Sequence, residues 1–163
     1  AGGGDAVAAG DRRLFPHLEN EEDLDFLDAA IERHRAALAS FILDHISILF
    51  GNEDEVASLY QSSSQDAIAA LADKTDELVV TRGPAGAFIG AGADHHEIPV
   101  MPQGPVIDTT GAGDLFAAGY LFGRTNGFDL LRSGRIASLA AGEVISHIGA
   151  RPQTDLKQLA AGL

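Results

Sequence analysis

Asp114 closes the run Asp108-Thr109-Thr110-Gly111-Ala112-Gly113-Asp114, in which three residues with almost no side chain precede an acid and a long apolar stretch, Leu115 to Phe122. Glycine lets a small ligand group reach the backbone itself. A helix that begins here turns its first amides, which have no intrahelical partner, and the positive end of its dipole toward that group. Such a place suits phosphate. The acid then has two readings. One is a carboxylate chosen for the helix dipole, worth roughly 0.3–1 kcal/mol. The other is a general base that takes the proton of a hydroxyl attacking a phosphoryl group. The glycines favour the second, because Ser or Thr would cap a helix without the entropic cost of glycine.

Two further clusters carry groups able to do chemistry. Asn52-Glu53-Asp54-Glu55 follows a short apolar run directly, which puts acids at the C-terminal end of a strand, where open α/β sheets place their ligands. The plainer reading is that these acids decorate a helix start. Thr81-Arg82-Gly83-Pro84-Ala85-Gly86 is by itself an ordinary glycine hairpin or loop, with Arg82 directed either to phosphate or to solvent. His95 and His96 are adjacent, so on a strand they point to opposite faces, and no third ligand of matching spacing is nearby; they are not read as a metal pair.

Asp108, Thr109, Gly111, Ala112, Gly113 and Asp114 match, position for position, the D-T-x-G-A-G-D signature of the ribokinase (PfkB carbohydrate kinase) family, and the small-residue helix that follows resembles it too. Asn52 and Glu55 match the family's Asn-x-x-Glu, and Thr81, Gly83 and Gly86 its T-x-G-x-x-G, in the family's order. The wording of residues 44–60 and of His147-Ile148-Gly149-Ala150-Arg151-Pro152 is most similar to the adenosine-kinase-like branch. The resemblance implies ATP-dependent phosphoryl transfer to a hydroxyl of a sugar or nucleoside. It casts Asp114 as the base and the amides around Gly111, Ala112 and Gly113 as the anion cradle. Thr81, Gly83 and Gly86 become nucleotide contacts, and Ser138 a contact to the base. Asn52 and Glu55 are implied to organise Mg2+, largely through water. Asp108 and Thr110 join the cofactor-binding residues, because in some relatives this segment and the corner after Ser146 supply carbonyls to a monovalent cation, K+ being the kind implied.

These residues need elements to hold them. Residues 1–22, rich in Gly, Ala and acids, show no sustained period and read as an irregular or remnant segment, leaving 23–163 as the nucleotide-binding portion. Leu24, Leu27, Ile31, Leu38, Phe41 and Ile42 lie on one helical stripe ending near Asp44. A buried parallel strand is expected over Ile46–Phe50, a helix through Val56, Leu59 and Tyr60, and a second helix opened by a Ser63–Asp66 capping pair. Strands follow at Glu77–Thr81 and Ala87–Ile89, then a turn from Gly90 to His96 and an edge strand at Glu97–Val100, with Val106 and Ile107 as the end of another strand. A buried helix carries Leu115 to Phe122, Asn126-Gly127 is a turn, and a long helix runs from Leu130 to Ser146 with Ala137, Ala140, Ala141, Val144 and Ile145 as its apolar stripe. This alternation predicts a layered α/β/α fold with a mainly parallel sheet. The resemblance specifies a ribokinase-like fold present as its C-terminal portion, since family members are about twice this length.

A chain of 163 residues can bury a real core, and its formal charge of −13 argues against a nucleic-acid or anionic-membrane partner. Without cysteine there is no disulfide framework, no apolar run reaches the roughly 18–20 residues of a membrane span, and the first residues lack a secretory pattern, so a cytoplasmic protein is expected. The substrate-binding residues and lid of such kinases come mainly from their N-terminal half, and no counterpart is visible before Asp23. Two alternatives therefore stay beside the kinase: a nucleotide-binding module without catalysis, and a folding fragment whose sheet edge pairs with a missing half or with another copy, as a homo-oligomer.

Overall fold

The computed structural model describes residues 34–163, and the expectations for residues before 34 lie outside them. A compact unit covers 41–163 and holds every candidate site residue. Residues 34–45 are helical (α1). They are followed by β1 (Ile48–Asn52), α2 (Glu53–Tyr60), α3 (Ser64–Ala72), β2 (Glu77–Thr81), β3 (Ala87–Ala91), β4 (Asp94–Ile98), α4 (Ala112–Thr125), α5 (Leu130–Val144) and α6 (Leu156–Leu159). Helices lie on both faces of the sheet, the expected layered α/β/α arrangement in part.

The sheet has the order β1-β2-β3-β4. β1 and β2 are parallel and joined by the α2–α3 crossover, while β2, β3 and β4 run antiparallel, so among the described residues the sheet is mixed rather than mainly parallel. The reason is local. Short connections at 82–86 and at Gly92 join β2 to β3 and β3 to β4, and a parallel pair cannot be closed by so few residues. Strand β2 alternates its side chains between two cores. Val79 joins Ile89, Ile98, Phe116, Tyr120, Leu130 and Ala137 under α4 and α5, while Leu78 and Val80 join Val56, Ala67 and Leu71 under α2 and α3.

Several expectations shift. The first strand starts two residues later than expected and is half-buried rather than buried. Asp94 to Ile98 forms β4, which takes in His95 and His96; the turn shrinks to the residues around Gly92, and Pro99 ends the edge strand instead of sitting in it. His96 Nε2 lies 2.9 Å from Asp94 Oδ1 and His95 packs on Phe88, and no metal-holding cluster of His, Cys, Asp or Glu occurs among the described residues. Val106 and Ile107 are not in a strand: both are exposed, and Ile107 N–H donates to the Ile145 carbonyl at 2.8 Å, bonding to the end of α5 instead of to a sheet.

Helices α4 and α5 pack closely because small residues line their seam. A Cβ on Gly119 would stand 2.8 Å from Ala137 Cα, and one on Gly123 2.5 Å from Ser133 Oγ. At the far end of α4, Glu77 accepts from Tyr120 Oη at 2.7 Å and from Arg124 Nη2 at 2.6 Å, and Arg124 Nη1 donates to the Phe128 carbonyl at 2.7 Å. Burial pushes the Glu77 carboxyl up, and the Arg124 and Tyr120 bonds outweigh it, so the group ends below its ordinary value. This clamp fastens the C-terminal end of α4 to the start of β2.

Candidate functional site

Asn52 and Thr81 are register partners at the C-terminal ends of the parallel pair β1–β2, so the Asn-x-x-Glu and T-x-G-x-x-G segments leave the sheet side by side. Because the last turns of α4 are clamped to Glu77 at the opposite end of β2, the helix runs back along the sheet and its N-terminus points toward the end that carries Asn52 and Thr81. The first two clusters therefore share one rim, and the N-terminus of α4 is directed toward it.

Asn52 and Glu55 form a reciprocal capping box for α2. Asn52 Oδ1 accepts from Glu55 N–H at 2.9 Å, and Glu55 Oε2 accepts from Asn52 N–H at 2.8 Å. Glu53 and Asp54 complete the first turn beside the helix dipole. Both box residues are exposed, and among the described residues Glu55 Oε1 carries no hydrogen bond. One exposed carboxylate oxygen on the rim fits a Mg2+ ion that keeps most of its waters.

After Thr81, whose hydroxyl donates to the Gly51 carbonyl at 3.5 Å, the chain makes a 3-10 turn over Gly83–Ala85. Gly86 has φ +89°, and a Cβ there would stand 2.0 Å from the Ile98 carbonyl oxygen, so only glycine fits. Arg82 faces neither solvent alone nor an open anion site: its guanidinium is paired with Glu97 on β4.

From Ile98 the chain runs along α5 as a strap. Ser138 Oγ donates to the Pro99 carbonyl at 2.7 Å, a Cβ on Gly142 would stand 2.1 Å from the Met101 carbonyl oxygen, and one on Gly104 3.2 Å from Ser146 Cβ. Ser138 is thus buried with its hydroxyl proton spent on the strap, which leaves only its oxygen lone pairs for a nucleobase. Gly134, Ser138 and Gly142 form a row of small residues four apart, the face of α5 against which β3, β4 and the strap fit. That spacing is visible in the sequence, yet the alanine stripe alone does not reveal what lies on it.

The strap ends in the anion turn. Asp108 Oδ1 accepts from Thr110 N–H and Asp108 Oδ2 from Gly149 N–H, both at 2.9 Å, which ties the turn to the corner after α5. These backbone bonds, the Gly149 bond foremost, hold the Asp108 carboxyl down from its ordinary 3.8 to about 2. Gly111, with φ +81°, is the N-cap of α4 and touches Ala150, where an added Cβ would come within 2.7 Å of Ala150 Cβ. The helix begins at Ala112, three residues earlier than the apolar run indicates.

Leu115 N–H is the first to close a helical turn, onto the Gly111 carbonyl at 2.9 Å. Of the cradle amides, Ala112 N–H is already taken by the Thr109 carbonyl at 3.2 Å, because the chain folds back there in a tight turn. Among the described residues the amides of Gly111, Gly113 and Asp114 meet no acceptor. The amides left open at this turn are therefore those of Gly111, Gly113 and Asp114, while that of Ala112 is occupied. Asp114 itself is exposed in the first turn, held in no core contact.

The two segments assigned to a monovalent cation do meet. Both Asp108 carboxylate oxygens, however, already accept backbone N–H groups, and the Ile145 carbonyl accepts those of Ile107 and, at 3.4 Å, Asp108. Exposed Val106, Ile107 and Ile148 lie on these joined segments and form an apolar border beside the polar turn. Sequence reading passed over Glu143, which is 2% exposed and bonded to Gln153 and Thr154; an acid breaking the stripe between Ala140 and Val144 is the signal that marks it.

The model of the pfkB family of carbohydrate kinases matches residues 4–156. The chain is 35% identical over 118 residues to a nucleoside kinase of Methanocaldococcus jannaschii, covering 71% of this chain and 37% of that one. Among solved structures it resembles a probable sugar kinase protein from Rhizobium etli CFN 42 (TM-score 0.76, 36% identity) and the adenosine kinase from Sinorhizobium meliloti (TM-score 0.75, 34% identity), each over 81% of this chain and 41% of the other. The chain thus spans about two fifths of the length of the relatives it matches.

Proposed function

The chain belongs to the pfkB family of carbohydrate kinases, and on that footing we propose that it carries the nucleotide-binding and catalytic end of an ATP-dependent kinase whose acceptor is a hydroxyl of a sugar or nucleoside. One observation carries this reading. An exposed Asp114 stands in the first turn of α4 beside amides with no acceptor among the described residues, directed toward the rim shared by Asn52 and Thr81.

In this reading the Asp114 carboxylate takes the proton of the acceptor hydroxyl as its oxygen attacks the γ-phosphorus, and ADP leaves with the electron pair of the broken P–O bond. The Gly111, Gly113 and Asp114 amides receive charge that develops on the transferring oxygens, where removal of one such donor typically costs about 2.7–4 kcal/mol. The loop of Thr81, Gly83 and Gly86 lies along the nucleotide, and the apolar border of Val106, Ile107 and Ile148 suits its base. Glu55, through water, would hold Mg2+, which supplies charge neutralisation at the phosphates when bound.

A second reading is nucleotide binding without turnover, because the chain spans about two fifths of the length of the relatives it matches. Titration calorimetry with MgATP, alongside a phosphorylation assay over nucleosides and sugars, separates the two. Binding with turnover supports the kinase, binding alone the module, and no binding overturns both.

A further inference from the structure

Glu143 is the one acid buried among the described residues, at 2% exposure, and it breaks the small and aliphatic run Leu139 to Val144 at the end of α5. A buried carboxylate is costly unless it is bonded, and an apolar residue there would carry no such cost. This one is well supplied. Oε1 accepts from Gln153 N–H at 2.9 Å, from Thr154 N–H at 3.0 Å and from Thr154 Oγ1 at 3.1 Å, while Oε2 lies 3.4 Å from His147 Nε2. A single side chain therefore ties His147 at one end of the corner to Gln153 and Thr154 at the other. Burial pushes its carboxyl up, and these bonds, led by the Gln153 amide, bring it below its ordinary value.

The residues inside that closed corner hold the anion turn. Gly149 donates its N–H to Asp108, whose other oxygen receives Thr110 N–H, and Ala150 packs against Gly111. We infer that Glu143 is a positioning residue for the anion turn: by pinning the corner 147–154 it sets Gly149 and Ala150 where they fix Asp108 and Gly111, and so aims the amides of Gly113 and Asp114. The functional half of this inference rests on the reading of that turn as a phosphate site. The plainer alternative is that Glu143 holds only the chain's return at Gln153 and Thr154.

Glu143→Leu and Glu143→Gln separate these roles, read by amide hydrogen exchange and by calorimetry with MgATP on the whole chain. Leucine removes the acceptor, whereas glutamine keeps a carbonyl oxygen in the Oε1 position. In the leucine variant exchange speeds up at Gln153 and Thr154 and also at Gly149 and at the two bonded amides of 110–114, Thr110 and Ala112, with 130–141 of α5 unchanged. Its MgATP affinity falls roughly tenfold or more, the scale of a lost charge-assisted bond, and glutamine restores most of it. Faster exchange confined to 153–154, with 110–114 and nucleotide binding as in the parent, overturns the inference. Faster exchange at 110–114 in a chain whose parent binds no nucleotide upholds the positioning role and overturns the phosphate reading. If the leucine variant does not fold, Thr154→Val, which removes only the Oγ1 bond, takes its place: a smaller acceleration at 110–114 supports the inference, and none overturns it.

Discussion

Asp114 and Asp108 lie six residues apart and are held in opposite ways. Asp114 is exposed and has no partner among the described residues, as a base awaiting a substrate proton must be, whereas Asp108 gives both oxygens to backbone amides. Asp114→Asn keeps the fold and nucleotide binding and lowers phosphoryl transfer by roughly 10²–10⁴, in a single-turnover assay with saturating MgATP; equal turnover would remove Asp114 from the chemistry. For Asp108 the sign follows from its lowered value: the ionised form favours the folded turn, so its contribution is present above about pH 4 and is lost as pH falls through about 2. The amide resonances of Gly149 and Thr110 are expected to titrate together with a midpoint near 2; a midpoint near 4 would mean the carboxylate is not bonded as described. Both acids were legible in the sequence because their spacing is fixed by a turn. That Ala112 N–H bonds the Thr109 carbonyl was not legible, because whether one amide of a turn is consumed by a preceding carbonyl depends on the fold-back at Thr109, which composition does not encode.

Among the elements, the paired strand ends and the two glycine-bearing segments followed from local chemistry. The start of β2 at Glu77 and the Ser63 cap of α3, with Ser63 Oγ accepting from Asp66 N–H at 3.2 Å, fall where turn and capping residues put them. The non-local pairings were not legible: Val106 and Ile107 have the β-branched residues of a strand, yet they bond to the end of α5 because the strap 98–111 is laid along that helix. Gly142 is the closest point of that contact. Gly142→Ala forces the Met101 backbone away and is expected to destabilise by about 1–3 kcal/mol in urea denaturation, while the exposed, open Gly92→Ala acts only through its positive φ. The clamp on α4 gives a second test. Tyr120→Phe removes one bond to Glu77 and leaves Arg124 in place, for an expected loss of roughly 0.5–1.5 kcal/mol in the same measurement.

On the scale of the whole molecule, the chain folds two hydrophobic clusters on either face of a four-stranded sheet and directs its chemistry toward one rim. The layering was readable from the alternation of apolar runs, since the central strands β2 and β3 had to bury both faces. The mixed pairing was legible only in part: a hairpin was one reading of the short connection 82–86, while the antiparallel partner of β3 was hidden because residues 94–96 read as a turn. The half-buried β1 and the exposed apolar residues of α4 and α5 accord with a chain spanning about two fifths of its relatives.

The Glu77 clamp has a mechanical consequence. Helix residues advance by about 100° and 1.5 Å each, so fastening Arg124 to the sheet fixes the azimuth of Asp114, ten positions and about 15 Å away. The far rim thereby acts as a tuning peg: loosening it would turn Asp114 about the helix axis while leaving the bonds that fix the Asp108 turn in place.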